Sequence, residues 1–263
     1  MPLPSPDDAP SVDLSGRVVM VTGAAGGIGR AVTLACAARG ATLVLHGRVV
    51  RKLEALYDEI VAAGHPQPTI LPLDLATASA DDFGHVASAI RAQLGRLDAL
   101  VHAAVFLGSL GPVEHQSFDV WQKVLRINLA AAMAMTRSAM PLLAKAPDAS
   151  VVFTLDARGE DPRAYWGAYA VAKEGIRALT KVAMLEWGAD NIRVNTICPW
   201  ARTDHWDGLA DRQRAARLAH NPLRRIGDPE ADVGAVVVFL AGDAGSYVTG
   251  QTIHVDGGNM GFR

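Results

Sequence analysis

Cysteine is scarce in the 263 residues: only Cys36 and Cys198 occur. Two thiols make no disulfide framework, and reduced thiols in a cytoplasm are the economical reading. Excess basic charge is also missing, with 25 Lys and Arg against 27 Asp and Glu. That balance leaves no electrostatic footprint for nucleic acid or an anionic membrane. The longest apolar runs, 129–135 and 235–241, fall far below the ~18 residues of a spanning helix. The eight histidines are scattered, without HExxH or CxxC, so no metal site is expected. Residues 1–12 hold four prolines and read as a flexible tail rather than a secretory signal.

What is present suits a globular protein. Half of the residues are hydrophobic and 20% are charged, and the length is ample for a full core. From Leu14 onward, short β-branched runs alternate with longer helical patterns. Strands are expected at 17–21, 42–45, 69–71, 99–101, 150–154, 193–197 and 252–255. Helices are expected at 27–39, 51–63, 80–94, 167–187 and 229–241, with one or two more over 118–143. This alternation predicts an α/β fold, a doubly wound Rossmann-type domain with a seven-stranded, mainly parallel sheet. The rhythm never breaks for a repeat or linker, so 13–263 reads as a single domain. The polar segment near 200–222 is too long for an ordinary connection. It is either a lid over a site or a surface excursion.

Two motifs carry chemistry. The first expected strand runs into Val21-Thr22-Gly23-Ala24-Ala25-Gly26-Gly27-Ile28-Gly29, and a helix follows. Glycines there allow a tight turn, and helix N–H groups can meet a pyrophosphate. The bland alternative is a turn closed by glycines for packing alone. The next strand ends in Leu45-His46-Gly47-Arg48. No acid stands there for a ribose 2′-hydroxyl, whereas Arg48 suits a 2′-phosphate, so NADP is expected over NAD. The other reading of Arg48 is a solvated surface residue. Further on, Tyr169 and Lys173 are four residues apart on a long helix and share a face. A nearby ammonium stabilises a phenolate, which makes proton exchange feasible near neutral pH.

With these pieces in place, the chain resembles the short-chain dehydrogenase/reductase family from Leu14 to Gly258. The matching residues are Thr22-Gly23, Gly27-Ile28-Gly29, Asp74-Leu75, Asn128 in Arg126-Ile127-Asn128-Leu129, Tyr169 with Lys173, and Arg193-Val194-Asn195. Val248-Thr249-Gly250 and Val255-Asp256-Gly257-Gly258 close the set. The resemblance implies hydride transfer between NAD(P) and a carbonyl, alcohol or C=N group of a small molecule. It implies Tyr169 as acid/base, Lys173 on the nicotinamide ribose, Asn128 holding a proton-relay water and Asp74 at the adenine. By the same resemblance, Gly23, Gly27, Ile28, Gly29, Arg48, Leu75, Ala103, Ala104, Pro199 and Thr203 bind cofactor. It also implies a homotetramer packed through the helices that carry Asn128 and Tyr169.

Three departures from the family pattern stand out. Val105, in His102-Ala103-Ala104-Val105, adds bulk where a glycine is usual. Trp200 follows Pro199 in place of glycine, and Thr203 comes early. Asp156 occupies the position of the substrate-orienting serine, thirteen residues before Tyr169. That Asp resembles the pteridine-reductase branch, although Gly27 stands where that branch has an arginine. Ionised, Asp156 repels a developing oxyanion; neutral, it donates a hydrogen bond. The bland reading is a turn cap. Phe106, Trp166, Trp200 and Trp206 are read as pocket lining or as core, and His102 as a packing residue. The leading expectation is an NADPH-dependent reductase using Tyr169, Lys173, Asn128 and Asp156. The alternatives are a pteridine or cyclic-imine reductase using Asp156, and a catalytically weakened cofactor-binding regulatory protein.

Overall fold

The computed structural model describes residues 12–156, 160 and 162–260. The tail expected at 1–12 lies outside the described residues except for Val12. Seven strands form one sheet: β1 (Val18–Thr22), β2 (Thr42–Gly47), β3 (Thr69–Pro72), β4 (Ala99–His102), β5 (Ala149–Thr154), β6 (Ile192–Pro199) and β7 (Thr252–Val255). Their order is β3-β2-β1-β4-β5-β6-β7. Each neighbouring pair is parallel, so the sheet is wholly rather than mainly parallel. The cause lies in the connections, which cross over through helices and return each strand in the same direction.

The helices are α1 (Gly27–Ala37), α2 (Val50–Ala62), α3 (Ala80–Leu94), α4 (Phe118–Leu125), α5 (Ala131–Leu143) and α6 (Gly167–Trp187). After them come α7 (Asp204–Asp207), α8 (Asp211–His220) and α9 (Ala235–Ala241). Alternating strand residues point to opposite faces. On one face, Val19, Val21, Leu43 and Leu45 pack against Val32 of α1, Ile60 of α2 and Leu240 of α9. On the other, Met20, Val44, Leu100 and Val151 meet Ile90 of α3, Met135 of α5 and Ile176 of α6. Each such buried aliphatic side chain is worth ~1.5–3 kcal/mol. No helix among the described residues is long and apolar enough to cross a membrane.

The helical pattern over 118–143 is two helices joined by a π turn, Arg126–Ala130. A π turn inserts one residue into the ladder, and such insertions favour functional positions. Here it carries Asn128. A second π turn, Pro229–Gly234, leads into α9. Asp228 caps it, its Oδ1 accepting from the N–H groups of Glu230 and Ala231 at 2.9 and 2.7 Å. The strand order reverses between β1 and β4. In an open parallel sheet, the crevice beyond the strand ends at that reversal is where ligands bind.

Candidate active site

The turn after β1 stands against the end of β4. Gly23 has φ +69°, and a Cβ there would lie 2.8 Å from Ala104 Cα. Only glycine meets both demands. The Ala104 N–H donates to Thr22 Oγ1 at 3.3 Å and ties the two strand ends together. Helix α1 begins at Gly27 without a side-chain cap and without an acid in its first turn. Its first N–H groups and its dipole are thus available to an anion. Gly29 differs from the expectation. It is buried, and a Cβ there would sit 2.2 Å from Gly23 O, so it packs the helix on the turn and does not line the cleft.

A cleft of about 540 Å³ runs from Gly23, Gly27 and Ile28 past Ala103 and Ala104 to Tyr169. Arg48, Asp156, Lys173, Pro199 and Thr203 also line it. Asp74 and Leu75 do not. Asp74 is folded back on its own turn, its Oδ1 accepting from the Ala76 N–H at 2.9 Å, and Leu75 is buried in the core. Lys52, in the first turn of α2, does line the cleft alongside Arg48. The sequence reading missed it, because the turn between β2 and α2, and not helical spacing, brings Lys52 to the cleft.

Tyr169 is buried near the start of α6, and its hydroxyl donates to Asp156 Oδ2 at 3.3 Å. Trp166 meets its ring edge-on, with centroids 5.7 Å apart. Val124, Ala168 and Ala172 complete a small cluster behind it. Lys173 Nζ lies 5.5 Å from the Tyr169 ring centroid and donates to Thr154 O at 2.7 Å. Burial pushes the Lys173 ammonium down to about 8, while Asp156 and Cys198 pull it upward. Even so, it holds its proton at neutral pH.

Asn128 acts as a brace. Its Nδ2 donates to Phe106 O at 2.7 Å and Val124 O at 2.9 Å, and its Oδ1 accepts from the Phe106 N–H at 3.2 Å. Its side chain is thus engaged by backbone groups rather than held ready for water. A cavity of about 10 Å³ nevertheless lies between Asn128, Thr22, Thr154 and Lys173, roughly the space of one water. His102 bonds Thr136 Oγ1 at 2.8 Å and stacks on Phe153 at 4.8 Å. Burial holds its imidazole down at about 3, so it packs, as expected, and carries no charge.

The segment near 200–222 forms the roof. Trp200 and Trp206 line the cleft and meet edge-to-face at 5.6 Å. Trp166 lines it too, whereas Phe106 belongs to the cluster behind Tyr169. The far end of the roof is locked by buried Asn221, whose Nδ2 donates to Asp256 O at 2.8 Å. Residues of this segment thus line the cleft. An elongated cleft with an open helix N-terminus at one end and Tyr169 with Lys173 at the other fits a nicotinamide dinucleotide.

The family model described as Enoyl-(Acyl carrier protein) reductase matches residues 23–259. The chain is 34% identical over 246 residues to a 3-oxoacyl-(acyl-carrier-protein) reductase of Thermotoga maritima, covering 93% of this chain and 98% of that one. It is also 34% identical over 255 residues to a 12alpha-hydroxysteroid dehydrogenase of a Clostridium species, covering 94% and 98%. A short-chain dehydrogenase of Shigella flexneri, solved in complex with NADP, superposes with a TM-score of 0.81 at 33% identity, covering 93% and 99%. With the wholly parallel sheet, the glycine turn and the Tyr169–Lys173 pair, these likenesses place the chain in the short-chain dehydrogenase/reductase family of nicotinamide-dependent oxidoreductases.

Proposed function

We propose that the protein is an NADPH-dependent reductase of a small-molecule carbonyl, with Tyr169 as the proton donor. One observation carries this: the Tyr169 hydroxyl, backed by Lys173, lines the same cleft as the uncapped start of α1. When bound, the nicotinamide supplies the hydride. Tyr169 Oη delivers a proton to the substrate oxygen, and the Lys173 ammonium stabilises the phenolate left behind. Thr154 O holds that ammonium in place. The water-sized cavity beside Lys173 supports resupply of the proton from behind, with Asn128 bracing its wall. Arg48 and Lys52 at one end of the cleft support NADP over NAD, as does the NADP complex of the Shigella flexneri relative. Exposed Val171, Val182 and Leu185 on α6 support a homotetramer. Two free, buried cysteines support a reducing, cytoplasmic setting.

A second reading rests on Asp156 at 3.3 Å from the proton donor. A carboxylate there opposes an oxyanion but favours a cationic iminium carbon. Pterins and cyclic imines are then the substrates. The close Tyr169–Lys173 geometry speaks against the weakened regulatory reading. A spectrophotometric screen of NADPH consumption over ketones, quinones, 3-ketoacyl thioesters, cyclic imines and pterins tests all three. Steady turnover supports a reductase, and the reactive class chooses between the first two readings. Tight NADPH binding without turnover on any class would leave the regulatory one.

A further inference from the structure

His102 is buried at the end of β4, and the reaction described above makes no use of its ring. In the register of the sheet it stands opposite Thr22 of β1 and Phe153 of β5, so all three side chains leave the same face. Two contacts fix the ring. It stacks on Phe153 with the planes 10° apart, and its Nε2 lies 2.8 Å from Thr136 Oγ1. The Thr136 hydroxyl has one proton and donates it to Ala132 O at 2.9 Å, so toward the ring it only accepts. That assigns the ring proton to Nε2 and leaves Nδ1 as a bare acceptor. Burial holds the imidazole down at about 3, so Nδ1 keeps its lone pair. Among the described residues, Nδ1 has no hydrogen-bond partner.

The cavity of about 10 Å³ is bounded by His102 together with Thr22, Asn128, Phe153 and Lys173. A water in such a space needs two to four polar partners, by the usual count of about three. Lys173 Nζ has three protons, of which one goes to Thr154 O. Thr22 Oγ1 accepts from the Ala104 N–H and keeps its own proton to donate. Both groups are donors, so a water between them needs an acceptor for its own protons. Asn128 has spent its amide protons on Phe106 O and Val124 O, and its Oδ1 already takes the Phe106 N–H. The His102 Nδ1 offers a whole lone pair.

We infer that His102 is a positioning residue that acts on Lys173 through one buried water, which donates to His102 Nδ1 and accepts from the Lys173 ammonium. The family resemblance puts a water on Asn128, whereas here it belongs to an imidazole of fixed tautomer. Held in this way, the water turns a lone pair to the ammonium and gives the buried charge a further acceptor beside Thr154 O. His102 thereby keeps Lys173 charged behind Tyr169. This role rests on the reductase reading above. The titratable groups that face Lys173 are Tyr169 on its own helix, Asp156 after β5, Cys198 on β6 and His102 on β4. Of these, His102 is the one that bounds the cavity.

A high-resolution crystal structure of the native protein is the first test. It should show an ordered water roughly 2.7–3.2 Å from both His102 Nδ1 and Lys173 Nζ. An empty cavity, or a water bonded to Asn128 but not to His102, overturns the inference. The second test is the pH profile of kcat in two variants that both lose the stack on Phe153. His102→Asn ends where Nδ1 stands and retains the acceptor. His102→Gln reaches toward Thr136 and gives that acceptor up. The Gln variant should lose the water, and the alkaline limb of its turnover should move down by about one pH unit or more, the worth of a hydrogen bond to a charged group. The Asn variant should keep the water and the parent's limb. A merely structural role would lower the melting temperature of both variants and leave the limb in place, and equal limbs in all three proteins overturn the inference. Should neither variant fold, the native crystal structure still decides. Water at His102 in a protein that reduces no carbonyl compound refutes the reductase and leaves the water site standing; turnover without that water does the reverse.

Discussion

Lys173 is buried with its ammonium pushed down to about 8 from an ordinary 10.5. Below pH 8 the folded and unfolded chains both hold this proton, so the full cost of burying the charge is present, about 3 kcal/mol. Between pH 8 and 10.5 the unfolded chain binds more protons here, so this residue's contribution to stability rises with pH. Turnover should show the opposite trend and fall above pH 8 as the charge behind Tyr169 is lost. Lys173→Met should remove turnover yet melt no lower than the parent at pH 7, with any advantage shrinking toward pH 10.5; thermal melts across that range check it. Tyr169→Phe should lower kcat/KM at least ~100-fold while NADPH still binds, as for a lost general acid. Residual activity near the parent's would move the proton donor to Asp156, its hydrogen-bond partner. Asp156→Ser should raise kcat/KM for a carbonyl substrate by removing the charge that opposes the oxyanion. The same change should lower it for a cyclic imine, because a hydroxyl carries no charge to stabilise an iminium. Equal rates with both classes would make Asp156 a turn residue.

At the scale of elements, the proposed preference for NADP rests on the residues between β2 and α2 and on the first turn of α2. Arg48 and Lys52 present two cations where β2 ends, and Gly47 stands beside them. A Cβ at Gly47 would meet Leu53 Cδ2 at 3.4 Å, an ordinary contact. Gly47→Asp is therefore tolerated sterically and should turn the preference toward NADH, by repelling a 2′-phosphate and accepting from a 2′-hydroxyl. Arg48→Ala should weaken NADPH roughly ten- to a hundredfold, the worth of one charge-assisted contact, with little change for NADH. Fluorescence titration with both cofactors measures this, and equal native affinities would reduce Arg48 to a surface residue. The β strands and long helices that carry these groups were legible in the sequence, because their periodicity is local. The π turn at Asn128 was not, because an inserted residue leaves the apolar spacing of 118–143 almost unchanged and is stabilised by packing between α4 and α6.

For the whole molecule, the proposed assembly rests on α6. Its Ala168, Ala172, Ile176 and Ala183 are buried, whereas Val171, Val182 and Leu185 are 51%, 51% and 77% exposed. At 100° per residue those three exposed positions fall on one stripe. The proposed homotetramer would cover this second apolar stripe. Sedimentation at micromolar concentration should show a species well above the 27.7 kDa chain. Leu185→Glu should dissociate it by burying an unpaired charge. A native monomer would refute the assembly.

The sequence by itself determined the strand–helix alternation, the glycine turn and the Tyr169–Lys173 pair. Each is written in short-range spacing, where one helix or one turn brings the residues together. Only the tertiary structure decided the rest of the site. It put Gly23 against Ala104 and Gly29 against Gly23 O, and so separated a cleft glycine from a packing one. It folded Asp74 onto its own turn and brought Lys52 to the cleft. It spent the Asn128 side chain on the loop at Phe106 and closed Trp200 and Trp206 over the pocket. It also set the Asp156 carboxylate against the Tyr169 hydroxyl. These outcomes depend on contacts between residues far apart in the chain or on the exact course of a loop, and local periodicity carries no information about either.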